Sequence, residues 1–285
     1  MNSVQQKGIN MNIAKSLSST INIEPNLLST TIWKNITSYN EVCEWSIIND
    51  FVFSNFKKHP QYKKVLEHVT QEQGQEYLIE IKKTKTINVE YAKNILAKND
   101  IIGNPDIFDY KNDGKYSPTT LRYGKVTSDI IDKFKICKEK SPITIVEIGS
   151  GYGGQCLLLD QFINIKSYTL IDTSSALKLA KKYLERHVTN CKLQFYTLNE
   201  IDSLESDILI SNYAFSELCK DLQDAYLKKI IYNSRCGYIT YNHITDQSFN
   251  TYTADEFLNV LPFPAHKNTE KPLTHPNNVI ITWER

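Results

Sequence analysis

The most restrictive feature of the sequence is the stretch ITIVEIGSGYGG, residues 143–154, in which an apolar run leads directly into a glycine-rich turn. Such a run predicts a buried strand, and glycines after it let the backbone approach a ligand closely. The spacing fits two patterns. Gly149, Gly151 and Gly154 form the G-x-G-x-x-G of dinucleotide sites, whereas counting from Glu147 gives E-x-G-x-G-x-G, which indicates a different ligand.

The sequence that follows this stretch alternates between strand and helix patterns. Five strands with interleaved helices predict an α/β fold with a doubly wound, Rossmann-like sheet. Apolar residues near the C-terminus predict a sixth strand, antiparallel, at the sheet edge. The predicted strands are Ile143–Ile148, Ser167–Ile171, Lys192–Thr197, Asp207–Asn212, Gly237–Tyr241 and Asn278–Glu284, and the helices between them are Gly154–Phe162, Ser174–Arg186 and Asp221–Asn233.

The chain before this sheet has a different pattern, and we predict three parts. Residues 1–30 are polar and form a loose leader, residues 31–140 form a mainly helical region on the substrate side, and residues 141–285 form the ligand-binding domain. Within the helical region, apolar spacing predicts helices in 39–56 and 62–68.

Three further local features are predicted there. Gly74 marks a break, residues 111–126 form a non-helical crossing because of their Asn-Asp-Gly and Ser-Pro steps, and a helix runs from Ser128 to Cys137.

Composition excludes several classes of partner. The 33 basic and 32 acidic residues leave a net charge of +1, which gives no field for nucleic acid or anionic membranes. No apolar run approaches the roughly 18 residues of a membrane span. The six cysteines show neither zinc spacing nor the density of a disulfide-stabilised domain. These features predict a cytoplasmic protein that acts on a small molecule; a homo-oligomer is left open.

Glu147 separates the two ligand patterns. A carboxylate on an otherwise apolar strand is costly to bury without a partner, and it would repel the diphosphate of a dinucleotide. S-adenosylmethionine carries no phosphate and brings a sulfonium and an ammonium, both cationic. Asp172 ends the second strand and can accept hydrogen bonds from the ribose of either ligand. The acidic residue therefore favours S-adenosylmethionine.

Three segments then resemble the motifs of class I S-adenosylmethionine-dependent methyltransferases, in the right order and spacing: VEIGSGYGG (146–154), LID (170–172) and DILISNYAFSEL (207–218). More narrowly, SPTTLRYGKV (117–126) together with EIGSGYGGQC and SNYAFSEL resembles a family of sugar O-methyltransferases found with bacterial surface-polysaccharide genes. The resemblance covers roughly residues 100–285. It implies that the acceptor is a sugar hydroxyl of a polysaccharide precursor or sugar nucleotide.

The motifs and the strand ends together predict the residues of the site. Asn199 departs from the class I pattern, in which an acid at this place binds the adenine. Tyr123 and Tyr213 are predicted to contact the substrate. Arg122 is predicted to bind either the cofactor carboxylate or an anionic sugar. The structural alternative for Arg122 is an ion pair with Asp106 or Asp109. The predicted cofactor-binding residues are Glu147, Gly149, Ser150, Gly151, Tyr152, Gly153, Gln155, Asp172, Thr173, Asn212 and Arg122.

Two residues are candidates for the general base that a sugar hydroxyl requires at neutral pH. His243 directly follows the fifth strand, where the substrate should lie, although a packed or surface histidine explains it equally well. Glu217 lies in the turn after the fourth strand, and its alternative is a carboxylate that stabilises a helix N-terminus. Glu217 and Asp246 lack a recognisable metal-ligand spacing, so no metal is predicted.

Three other functions remain open. The first is methyl transfer to a phosphate-type group or another small metabolite. The second is a non-catalytic, cofactor-binding scaffold in glycan assembly, and the third is an NAD-dependent dehydrogenase. The last is disfavoured because about 43 residues after the fifth predicted strand are too few for a separate substrate domain.

Overall fold

A computed structural model describes residues 25–136, 141–245 and 247–285 of the 285-residue chain. Most of the predicted leader, Cys137 and Asp246 lie outside these residues. The helices are α1 Pro25–Asn35, α2 Tyr39–Ile48, α3 Asp50–Asn55, α4 Pro60–Lys63, α5 Gln71–Thr84, α6 Val89–Ala97, α7 Pro118–Phe134, α8 Gly154–Phe162, α9 Ser174–Leu184, α10 Lys220–Lys229 and α11 Ala254–Val260. The strands are β1 Phe108–Asp109, β2 Lys115–Tyr116, β3 Ile143–Ile148, β4 Ile165–Ile171, β5 Lys192–Tyr196, β6 Ser206–Asn212, β7 Ser234–Tyr241, β8 His266–Thr269 and β9 Val279–Glu284.

The main sheet has seven strands in the order β5-β4-β3-β6-β7-β9-β8, and β1 and β2 form a separate small hairpin. Strands β3 to β7 are mutually parallel, while β9 runs antiparallel to both of its neighbours. The chain order reverses beside β3, so the carboxyl ends of β3 and β6 flank a topological switch point, where open α/β sheets bind ligands. The predicted fold class is confirmed, including the antiparallel strand; β8 was not predicted.

The helical N-terminal part packs directly on one face of the sheet. One apolar core includes Val42, Phe56 and Leu78 of this part together with Ile145 and Leu170 of the sheet. A second core, which includes Phe257 and Trp283, covers the opposite face. The helix pair α5 and α7 thus belongs to the same packed body as the glycine-rich turn. The proposed boundary near residue 140 stays a prediction.

Three local predictions in the helical part are wrong. Gly74 lies inside α5, and a Cβ there would come within 2.1 Å of the Tyr110 hydroxyl oxygen, so this glycine permits close packing. The predicted crossing at 111–126 is helical from Pro118 onward. Ser117 caps α7 by accepting a hydrogen bond from the Thr120 N–H at 3.2 Å, and proline suits the first helical position.

The third error concerns residues 62–68, predicted as a helix. Helix α4 ends at Lys63, and the following residues form turns. The carbonyl oxygen of Leu66 accepts hydrogen bonds from Arg122 at 3.1 Å and from Thr119 at 3.3 Å, both in α7. Side-chain donors of α7 thus satisfy a backbone carbonyl group of this segment, which lies over the glycine-rich turn.

Candidate functional site

A cavity of about 380 Å³ lies at the carboxyl edge of the sheet, above the ends of β4, β3, β6 and β7 and beside Asn278, which precedes β9. Its floor is formed by the strand ends and the glycine-rich turn. Its roof comes from the helical part, through residues such as Tyr39, Leu66 and Tyr77. The helical N-terminal part therefore covers the cavity whose floor the sheet forms.

The glycine-rich turn requires the absence of side chains. Gly149 has a φ of 73°, and a Cβ there would lie 2.0 Å from the Cβ of Ala214. Gly151 has a φ of 54°, and its N–H donates a hydrogen bond to Asp172 at 2.8 Å. The same carboxylate accepts from the Thr173 N–H at 2.7 Å. Asp172 thus fixes the turn while its carboxylate lines the cavity.

Glu147 lies at the bottom of the cavity and is 2% exposed. Burial raises the pKa of its carboxyl group to about 8; the hydrogen bond that it accepts from Tyr168 at 2.8 Å opposes this shift, and Asp172 adds to it. Among the residues that the structure describes, Glu147 forms no ion pair. A buried acid of this kind is stabilised by a cationic ligand.

Arg122 projects from α7 into the wall of the cavity and is 5% exposed. Its guanidinium carbon lies 5.6 Å from the ring centre of Tyr123 and 5.8 Å from that of Tyr213. Asp106 instead pairs with Lys63, and Asp109 with Lys115, so the suggested ion pairs with Arg122 are not formed. Its Nε has no partner within the described part of the chain, which leaves a donor for an anionic group.

Three further polar atoms of cavity-lining residues have no partner among the described residues, the Ser150 Oγ, the Asn212 Oδ1 and the Asn278 Oδ1. Asn212 donates through Nδ2 to Gln155 at 3.4 Å, so its carbonyl oxygen remains available as an acceptor. The cavity therefore offers an acid at its base, a guanidinium donor, an unpaired amide oxygen and a bare glycine turn. This set fits S-adenosylmethionine, which combines a sulfonium, an ammonium, a carboxylate and a ribose.

The predicted site residues divide into two groups. Gly153, Gln155 and Thr173 lie beside the cavity without lining it, and His243 is exposed outside it. Asn199 is exposed after β5 and likewise does not line the cavity. The cavity brings together Arg122, Tyr123, Glu147, Gly149, Ser150, Gly151, Asp172, Asn212, Tyr213 and Glu217.

Tyr152, predicted to bind the cofactor, is fully buried away from the cavity. Its ring lies 4.2 Å from the Lys57 ammonium, and its hydroxyl accepts a hydrogen bond from Asn99 at 2.9 Å. The Asn99 amide also donates to Thr120 at 2.7 Å and accepts from Tyr183 at 3.0 Å. Asn99 thereby links the glycine-rich turn to α7 and α9, and Tyr152 anchors the turn in the core.

Replacing Asn99 with Leu is expected to lower the free energy of unfolding by about 2–4 kcal/mol, because buried hydroxyl and amide partners lose their hydrogen bonds. Urea unfolding followed by circular dichroism measures this difference. Asn94→Leu, at an exposed position of α6, is the matched control and should change stability by less than about 0.5 kcal/mol. Equal stabilities of the two variants would contradict the role assigned to Asn99.

The two candidate bases are placed differently. Glu217 lines the cavity, and its carboxylate accepts a hydrogen bond from the Asn242 amide at 2.6 Å. Burial raises the pKa of Glu217, while Asn242 and Arg122 oppose the shift. Glu217 ends a short 3-10 turn, Ala214–Glu217, and precedes α10, so it is not a helix N-terminal carboxylate. His243 is exposed and does not line the cavity, whereas Asn242 and Ile244 on either side of it do.

Several cavity residues were missed by sequence reasoning. His68 belongs to the segment mispredicted as a helix, and Tyr39 and Tyr77 have ordinary amphipathic helix spacing. His275 lies in the loop between β8 and β9, whereas Asn242 and Asn278 directly adjoin the ends of β7 and β9. The signal that could have found the last group is a polar residue adjoining the end of an apolar strand at the carboxyl edge. Burial lowers the pKa of His68 to about 4, with Arg122 contributing.

The described residues contain neither a metal-ligand cluster nor a membrane-spanning helix. No three His, Cys, Asp or Glu side chains there converge as a metal site would require. Within the same ranges, every helix is too short or too polar to span a bilayer.

Comparisons with known proteins give structural similarity alone. No protein-family model matches the chain, and no curated protein does. Similar solved structures include the CurJ carbon methyltransferase, at 11% identity and a TM-score of 0.45, over 57% of this chain and 54% of that one. The methyltransferase domain of bacterial CtHen1 aligns at 14% identity and a TM-score of 0.42, over 57% and 97%. The N-terminal domain of EvdMO1 with SAH bound aligns at 11% identity and a TM-score of 0.44, over 70% and 97%.

The chain thus spans about half the length of the CurJ structure. The class of protein that its own fold and site define is a doubly wound α/β protein with a glycine-turn ligand cavity. The finer resemblance to sugar O-methyltransferases stays a prediction.

Proposed function

We propose that this protein transfers a methyl group from S-adenosylmethionine to a hydroxyl oxygen of a sugar or sugar nucleotide. The observation that carries the proposal is Glu147, a buried carboxyl group without an ion pair among the described residues, which lies beneath a glycine-rich turn held by Asp172. An acid in this place suits a cationic ligand and opposes a pyrophosphate. The sugar acceptor rests on the sequence resemblance of residues 117–126, 147–156 and 211–218.

Residues on the cofactor side have separate tasks in this proposal. Asp172 accepts hydrogen bonds from the ribose hydroxyls, Glu147 balances positive charge, and the amide oxygen of Asn212 accepts from the ammonium. Arg122 binds the carboxylate through its free donor. When bound, S-adenosylmethionine supplies an electrophilic methyl group on a positively charged sulfur. The roof residues Tyr39 and Leu66 exclude water from this part of the cavity.

Glu217 acts on the acceptor side as general base. Its carboxylate takes the proton of the attacking hydroxyl as the new oxygen–carbon bond forms and the sulfur–carbon bond breaks. Asn242 holds the carboxylate in place through its amide donor. Tyr123 and Tyr213, which line the cavity, contact the acceptor. Alignment of the hydroxyl with the methyl carbon supplies the rest of the acceleration.

Calorimetry with S-adenosylhomocysteine tests cofactor binding. Wild-type protein is expected to bind, and Gly149→Ala to bind at least about tenfold more weakly, because the added methyl group displaces Ala214 at the floor of the cavity. Gly114→Ala is the matched control, since Gly114 also has a positive φ, 118°, but lies outside the cavity. If wild-type protein at millimolar ligand gives no heat of binding and no thermal shift, the proposal is contradicted.

A further inference from the structure

Three asparagines lie side by side along the carboxyl edge of the sheet. Asn212 ends β6, Asn242 directly follows β7, and Asn278 directly precedes β9. These strands are neighbours, and β9 is antiparallel to β7, so its first residues meet the last residues of β6 and β7 at one edge. All three side chains line the cavity. We refer to Asn212, Asn242 and Asn278 as the asparagine row.

The row extends beyond the part of the cavity that the cofactor needs. Adjacent strands lie about 4.8 Å apart, so β9, the third strand from β3, is roughly 14 Å from the glycine-rich turn. Gly151 and Asp172, which follow β3 and β4, and Asn212, the last residue of β6, occupy the near half. Asn242 and Asn278 therefore border space for a second ligand.

The hydrogen bonds of Asn278 leave one specific group unsatisfied. Its Nδ2 donates to Glu270 at 3.1 Å and to Thr274 at 3.0 Å. A carboxylate only accepts hydrogen bonds, so the Nδ2 must face Glu270 and the Oδ1 must face away from it. Asn278 is 4% exposed, and this Oδ1 has no partner in the described ranges. A buried acceptor of this kind calls for a donor on a ligand.

The segment 270–278, which we call the strap, holds Asn278 rigidly. Glu270 is 3% exposed and accepts hydrogen bonds from the Thr274 N–H at 3.0 Å, the Thr274 hydroxyl at 2.5 Å and the Tyr213 hydroxyl. Tyr213 has a φ of 68°, a conformation that L-residues adopt rarely and mostly at functional sites. The strap is thus tied to the turn that carries Glu217.

We propose that Asn278, oriented by the strap, forms an acceptor subsite for a hydroxyl group next to the one that Glu217 deprotonates. This inference rests on the proposed function and narrows its substrate class to polyhydroxylated rings. A phosphate dianion presents acceptor oxygens alone, which the Asn278 Oδ1 repels. An apolar acceptor leaves that oxygen buried without a partner. A sugar ring with vicinal hydroxyls supplies one proton to Glu217 and a second to Asn278.

Ligand-observed saturation-transfer NMR on the complex with S-adenosylhomocysteine tests the subsite. The probes are methyl α-glucoside, α-galactoside and α-mannoside, each monodeoxy analogue of them, and inorganic phosphate. At least one glycoside is expected to bind wild-type protein, and Asn278→Ala to bind it about fivefold more weakly or worse, the effect of one lost hydrogen bond. Asn277→Ala, at the exposed neighbouring position, is the matched control and should match wild type.

The monodeoxy series gives a second readout, and its first measurement uses wild-type protein alone. Removal of one particular hydroxyl should weaken binding about fivefold, and Asn278→Ala should abolish that difference. Calorimetry should show S-adenosylhomocysteine affinity within about twofold of wild type for both variants.

The subsite is overturned if no glycoside binds, if phosphate binds in preference, or if every deoxy analogue binds like its parent. It is also overturned if Asn278→Ala lowers S-adenosylhomocysteine affinity. A wild-type protein that binds no S-adenosylhomocysteine would instead overturn the proposed function itself.

Discussion

Replacement of Glu217 by Gln is expected to lower kcat by about 10²- to 10⁴-fold, the range for loss of a general base. The amide keeps the hydrogen-bonding shape beside Asn242 but cannot take a proton. Affinity for S-adenosylhomocysteine should stay within about twofold, because the cofactor half of the cavity is unchanged. Methyl transfer to a panel of nucleotide sugars, followed by product mass, measures kcat.

The pH profile gives this prediction its most specific readout. The pKa of Glu217 is raised by burial, and the base acts only when ionised. The rate should therefore fall as pH decreases through a value above 4.5, and this acid limb should vanish in Glu217→Gln. Asp221→Asn, an exposed position outside the cavity, is the control and should keep the wild-type profile. A retained acid limb in Glu217→Gln would exclude Glu217 as the base.

Replacement of Glu147 by Gln is expected to strengthen the fold and weaken cofactor binding. The folded pKa of about 8 exceeds the ordinary value of 4.5, so the carboxyl group's contribution to stability is full below pH 4.5 and is lost as pH rises through 8. The amide side chain of the variant carries no charge to bury and still accepts from Tyr168. At pH 9 the variant should be more stable by about 2–4 kcal/mol; below pH 4.5 the two proteins should be equal.

Binding changes in the opposite direction. At pH 7 Glu147 is mostly protonated in the free protein, and a cationic ligand favours the carboxylate, so wild-type binding of S-adenosylmethionine should release protons. Calorimetry in buffers of different ionisation enthalpy detects this release, which Glu147→Gln should lack. Affinity for S-adenosylmethionine should fall about tenfold or more.

A second variant distinguishes the charge of Glu147 from its hydrogen bond. Tyr168→Phe keeps the carboxyl group and removes its donor, so proton release should persist and shift to higher pH. Unchanged S-adenosylmethionine affinity in Glu147→Gln would contradict the assignment of Glu147 as the partner of the cofactor charge.

The local sequence pattern was sufficient to predict elements whose structure depends on neighbouring residues. The strand from Ile143 to Ile148 was predicted to the residue, because an apolar β-branched run followed by glycines has few alternatives. Helix α7 was predicted to begin ten residues too late. Its Ser-Pro start was interpreted as a turn, although the same two residues form an N-cap and a first helical position.

The acceptor side depended on long-range contacts. His243 was a reasonable base from its position after β7, yet it is exposed and does not line the cavity, whereas its neighbour Asn242 lines the cavity and donates a hydrogen bond to Glu217. The orientation of the Asn278 amide depends on Glu270, which also accepts a hydrogen bond from the distant Tyr213 hydroxyl. A sequence pattern does not specify which face such loop residues present.

The sequence by itself determined the five parallel strands and β9, the glycine turn and the acid beneath it, since backbone conformation and burial are encoded by neighbouring residues. The tertiary structure decided what surrounds that turn. It closed the cavity with the helical N-terminal part, moved Tyr152 into the core, and brought Asn278 to the acceptor side. These placements depend on side chains more than 50 residues apart, whose contacts arise from packing of whole elements and leave no local periodicity to interpret.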